Sequence, residues 1–139
     1  MKVLVKAQLR TGQGAVLTLP GRPITKKNSQ RILTNHKTGK PFVDQSEAYK
    51  RYEEECLWRL LSFRAPRYSG KLMMTARYWM PDRRSWPDLF GLLQSTADIL
   101  QKAKIIENDR DIVRLDGSEI VGVDKENPRV EIEITEMEG

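Results

Sequence analysis

Residues 71–80 read KLMMTARYWM. Leu72, Met74, Ala76 and Tyr78 fall on alternate positions, the period of a strand with one buried face. The next apolar run changes period. From about Leu89 to Lys104, the residues Leu89, Leu92, Leu93, Thr96, Leu100 and Ala103 recur at spacings of three and four, which predicts a helix. Upstream, DQSEAYKRYEEECLWRLLSF (44–63) carries Tyr49, Tyr52, Cys56, Leu60 and Phe63 on one helical stripe. Asp44 is placed to cap that helix and Glu47 to cap it reciprocally, and APRYSG breaks it. A strand between two amphipathic helices, without regular βαβ repetition, predicts an α+β fold.

The flanks complete the element order. KVLVKAQL and AVLTLP read as two short β runs around TGQG. Residues 20–43 are rich in Gly, Pro, Asn and Lys, lack any period, and read as a long basic loop. DIVRLDGSEIVGVD reads as a strand that then turns, and KENP is a turn. In the closing RVEIEITE, Val130, Ile132 and Ile134 alternate with Arg129, Glu131 and Glu133, giving one buried and one wet face. The expectation is one domain over 1–139, with a small mixed β-sheet and two main helices in the order β-β-α-β-α-β-β.

Composition narrows the function. The chain has 139 residues, a net charge of +5 and 31% charged residues. No acidic residue precedes Asp44, whereas the C-terminal strand is acidic. A positive front half suits a polyanion, and a solvated basic surface explains it as well. The single cysteine, Cys56, excludes an internal disulfide and a thiolate zinc cluster. MKVLVKAQLR lacks a signal-peptide core, and no run approaches the ~20 apolar residues of a membrane span. The expectation is a cytoplasmic protein without a membrane role.

No glycine-rich phosphate loop is present. His36, the only histidine, lies in the basic stretch and reads as a surface or phosphate-contacting residue. The aspartates are more informative. Asp82 ends a strand, Asp88 precedes a helix, and Asp109 and Asp111 follow that helix. Mg²⁺ takes one or two carboxylates together with water and substrate phosphates, and a helix N-terminus favours nearby anions. Asp88 reads first as a helix cap. Both roles are compatible if one carboxylate oxygen faces the helix and the other a metal. Asp98 lies ten residues further on, about 15 Å along the axis, and is spaced to pair with Lys102.

Several segments resemble the RusA-type Holliday junction resolvases, especially phage-borne forms. They are PGRPITKKNSQRI, MPDRRSWPDL, DILQKAKII, ENDRDIV, the DGS turn and PRVEIEITE, spanning about residues 15–136. The resemblance implies a small α+β homodimer that binds branched, four-way DNA junctions. It implies symmetric cleavage of two opposing strands in recombination and repair, with Mg²⁺ or Mn²⁺ as cofactor. The family's D-x-D-N element falls on Asp88, Leu89, Phe90 and Gly91, its later aspartate on Asp109, and a lysine one turn on at Gln94. The resemblance thus implies Asp88 and Asp109 as catalytic metal ligands. Asp111 is the better replacement for the carboxylate lost at Phe90, since an extended segment would point it the same way as Asp109. Asp82 is a further metal candidate. Lys26, Lys27, Arg31, Arg83 and Arg84 are expected on backbone phosphates, which position DNA without reading sequence. Because a phenyl ring cannot ligate Mg²⁺, a junction-binding protein of the same fold without cleavage is the alternative. An unrelated basic domain binding RNA or protein would leave the acid spacing unexplained. Trp79, Trp86 and Phe90 read as core or dimer contacts, with base stacking as their other role.

Overall fold

In the computed structural model, the predicted strand at Leu72–Met80 (β5) forms the middle of a six-stranded sheet. The structure describes residues 7–9, 15–26, 30–34, 36–45, 47–84 and 86–138, with the backbone alone for 7–9, 15, 30–34 and 41–45. The remaining sheet strands are β1 (Ala7–Leu9), β2 (Ala15–Pro20), β6 (Ile112–Arg114), β7 (Glu119–Val123) and β8 (Arg129–Glu136). The order is β1-β2-β8-β5, after which β6 and β7 both lie on the far side of β5. β5 runs antiparallel to β8 from Leu72↔Glu136 to Trp79↔Arg129, and parallel to β6 and β7. The sheet is therefore mixed, and the fold is α+β.

The period-2 reading of β5 and β8 holds. Leu72, Met74, Ala76, Tyr78 and Met80, with Val130, Ile132 and Ile134, are all buried. Leu17 and Leu19 of β2 extend the same face. The helices α1 (Glu47–Phe63) and α2 (Leu89–Lys102) supply Cys56, Leu60, Leu92, Leu93, Ile99 and Leu100 to this core. The opposite sheet face carries Thr75, Arg77, Glu131 and Glu133 and is wet.

Four local expectations change. Within residues 20–43, read as a loop, Gln30–Thr34 (β3) and Pro41–Gln45 (β4) pair as an antiparallel ladder. Gly39, at φ 73°, supplies the left-handed residue in the connection between them, where exposed His36 lies. Asp44 therefore lies in a strand opposite Arg31, three residues before α1 begins at Glu47, and its predicted capping side chain lies outside what the structure describes. Phe63, the last residue of α1, ends the stripe 39% exposed. Residues 112–123 form two strands interrupted at Leu115–Ser118, where Gly117 has φ 78° and the Ser118 N–H donates to the Leu115 carbonyl. The TGQG turn at 11–14 lies outside the described residues.

Two buried polar groups offer tests. The Tyr78 hydroxyl and Thr96 Oγ1 form a 2.6 Å hydrogen bond between β5 and α2. Tyr78→Phe is expected to cost about 1–2 kcal/mol in urea unfolding, since Thr96 keeps a buried, unpaired hydroxyl. Burial pushes the Cys56 thiol up to about 12. A thiol reagent at pH 8 should leave Cys56 unmodified in the native protein and modify it once the chain unfolds.

Candidate active site at the start of the second helix

β5 delivers the chain into a turn, residues 81–84, organised by Asp82. Its Oδ1 accepts the Arg84 N–H at 2.9 Å, and Oδ2 pairs with the guanidinium groups of Arg84 at 3.4 Å and Arg22 at 3.6 Å. The Arg84 N–H, with the two guanidinium groups, holds the Asp82 carboxyl below its usual range. The Trp86 indole N–H donates to the Asp82 carbonyl. Asp82 thus serves the turn that leads to α2.

Asp88 is the N-cap of α2. It has extended backbone (φ −73°, ψ 148°), and its Oδ2 accepts the Gly91 N–H at 2.9 Å. Gly91 leaves room for this arrangement. A Cβ at that position would lie 2.9 Å from Asp88 Oδ1 and 3.1 Å from Thr25 Cγ2, and Thr25 is buried. An asparagine here, as in the family-like pattern, would require the Asp88 carboxylate to shift.

Asp109 reaches the same helix from its other end. After α2, Ala103 caps the chain, Lys104 turns it at φ 62°, and Ile105 and Ile106 bury themselves in the core. The chain then runs back beside α2 into a single 3-10 turn, Asp109–Asp111. The Asp109 N–H donates to Gln101 Oε1 at 2.8 Å, and Asp109 Oδ2 accepts from Gln94 Nε2 at 3.2 Å. Gln94 and Gln101 are two helical turns apart on one face, so together they dock this segment. That spacing was visible in the sequence, but its partner was not.

The extended path expected for 109–111 is replaced by the 3-10 turn. At three residues per turn, Asp111 diverges from Asp109. Asp109, Phe90 and Gln94 border one open hollow of about 400 Å³, and Asp111 is not among its lining residues. Asp88, with Lys26 and Asp98, borders a second hollow, to which Phe90 and Gln94 also contribute. Phe90 and Gln94 therefore form a ridge with an aspartate on each side. Among the described residues, no three His, Cys, Asp or Glu side chains are gathered as a metal ion would require.

The aromatic residues divide. Phe90 is 83% exposed, contrary to the core reading, because its place in the first turn of α2 faces away from the sheet. Trp86 is also exposed. Trp79 is partly buried beneath the Arg129 guanidinium, which lies 3.9 Å from its ring centroid.

Among the basic residues, Arg83 and Arg84 are exposed near the site. Lys26 is tied to α2, its N–H donating to Ser95 Oγ at 2.8 Å and its ammonium pairing with Asp98 at 3.6 Å. Asp98 also pairs with Lys102 as its spacing predicted, at 3.5 Å, and Lys102 reaches Glu53 of α1 at 2.9 Å. Lys27 and the Arg31 side chain lie outside the described residues.

The cap role of Asp88 can be tested by itself. Asp88→Ala is expected to lose about 1 kcal/mol of stability in urea, and Asp88→Ser to stay within a few tenths of wild type, because serine restores the cap. Equal losses in both variants would show that the cap contributes little.

No helix among the described residues is long and apolar enough to cross a membrane. No curated protein matches the chain in sequence. A family model for endodeoxyribonuclease RusA matches residues 20–135, which span β3 through most of β8 and include both sides of the Phe90–Gln94 ridge. The chain belongs to the endodeoxyribonuclease RusA family.

Proposed function

We propose that the protein is an endonuclease that resolves four-way DNA junctions by symmetric phosphodiester cleavage, with a divalent metal site that is weak for its family. The observation that supports this reading is that Asp88 and Asp109 are both tied to the first half of α2, by the bonds to Gly91 and Gln94, on the two sides of the Phe90–Gln94 ridge. Their donor chemistry suits Mg²⁺ or Mn²⁺, which take one or two carboxylates and complete their shells with water and substrate phosphate. When bound, such an ion supplies Lewis acidity and a hydroxide nucleophile. Asp88 and Asp109 would hold it. Asp111 and Asp82 are poorer candidates, one on a diverging turn and the other engaged by Arg84 and Arg22. Phe90 offers no oxygen, and the Gln94 amide already donates to Asp109, so the charge available to attract a cation is low.

Arg83, Arg84 and Lys26, with Lys27 and Arg31, would contact backbone phosphates. A homodimer would set two such sites on opposing strands, which is the geometric basis for symmetric cutting in recombination and repair. The DNA substrate and the lone reduced Cys56 fit the cytoplasm. The second reading, junction binding without cleavage, is supported by one observation: Phe90, at the position to which the resemblance assigns a second aspartate, is a largely exposed phenyl ring that offers no ligand oxygen.

An end-labelled synthetic four-way junction tests the proposal. Symmetric nicks should appear only at high Mg²⁺ or Mn²⁺ and vanish in Asp109→Asn. Phe90→Asp should lower the metal concentration needed by about tenfold, roughly the effect of one added charge-assisted ligand. Junction-selective binding without nicks at any metal level, in both wild type and Phe90→Asp, would leave the binding reading. Equal affinity for junction and linear duplex would reject both. If backbone phosphates dominate, log affinity should fall steeply with log salt, and Arg83→Ala should reduce the slope by about one.

A further inference from the structure

We infer that the hollow beside Phe90 receives one nucleobase displaced at the crossover of a DNA junction, with the phenyl ring as its stacking platform. This rests on the proposed action on junction DNA and adds a base-binding site to it.

Single exposed apolar side chains are ordinary. Phe90 differs because of what surrounds it. The ring, 83% exposed, borders an open hollow of about 400 Å³. Most of its lining is apolar, Met74, Leu93, Ala97, Ile112 and Leu115 among it, and Gln94, Asp109 and Arg110 supply the polar part. Helical spacing puts Gln94 one turn beyond Phe90 on the same face, so the amide edge and the ring belong to one surface.

A base is the occupant whose chemistry matches. It has a flat apolar face for the ring and an edge of donors and acceptors for the rim. The Asp109 carboxylate accepts exocyclic amino groups and repels phosphate, so it favours the base over the sugar–phosphate backbone. The Gln94 amide spends one N–H on Asp109 and has a second N–H and a carbonyl oxygen for a base edge. Arg110, exposed on the same rim, can stack on the base or reach its phosphate. At a crossover the helical stack is already interrupted, so taking out a base costs least there. The hollow would thus contribute to junction selectivity independently of any metal.

The test uses the full chain, in EDTA, with four-way junctions carrying the fluorescent adenine analogue 2-aminopurine at the crossover or inside an arm. Binding should raise fluorescence several-fold at a crossover position and leave the arm position unchanged. Phe90→Ala should abolish that rise and weaken junction binding about tenfold while leaving linear-duplex binding unaltered, and Phe90→Trp should restore both. Junction-selective binding by wild type with no rise at any crossover position, or full affinity in Phe90→Ala, would overturn the base site and leave the junction reading intact. Loss of junction selectivity in the wild type would overturn both.

Discussion

The structure depends on the pairing of β5 with β8. These strands are antiparallel from Leu72↔Glu136 to Trp79↔Arg129, and each places every second side chain into one apolar face. A slip of β8 by one residue would turn Val130, Ile132 and Ile134 outward and bury Glu131 and Glu133 instead. Burial of that face against α1 and α2 fixes where β5 must stop. A short turn then separates Met80 from Asp88, so the sheet register also sets where α2 begins.

The same helix is used from both ends. Its N-terminus holds Asp88 through the Gly91 N–H, and its exposed face receives Asp109 through Gln94 and Gln101. The return path needs a left-handed residue at Lys104, an unfavourable backbone state for a side chain with a Cβ. Burial of Ile105 and Ile106 immediately afterwards offsets that cost. A carboxylate from the loop is thus held across the Phe90–Gln94 ridge from the carboxylate of the cap by apolar anchoring, hydrogen bonds and one strained residue.

Phe90 changes the character of this site. A carboxylate there would strengthen cation binding and also repel incoming phosphate. A phenyl ring does neither and presents a flat apolar surface. In a chain of net charge +5, with Arg83 and Arg84 exposed, a phenyl ring at this place is compatible with the proposed nucleic-acid contact. The proposed weak metal requirement and the proposed base site both rest on that one residue.

Periodicity determined much of this protein from sequence. The alternation in β5 and β8 and the three-four spacing in α2 follow from local geometry, and a buried face writes them directly into residue order. The cap role of Asp88 and the Asp98–Lys102 pair were legible for the same reason, since their partners are three and four residues away. The β3–β4 ladder was hidden because its strands are short and lie among turn-forming residues. Only the tertiary structure decided that Asp109 folds back onto Gln94 and Gln101, that Asp111 turns away from it, and that Phe90 stands in solvent between two aspartates. Those facts depend on how the chain returns after α2, and contacts between distant residues leave no period in the sequence.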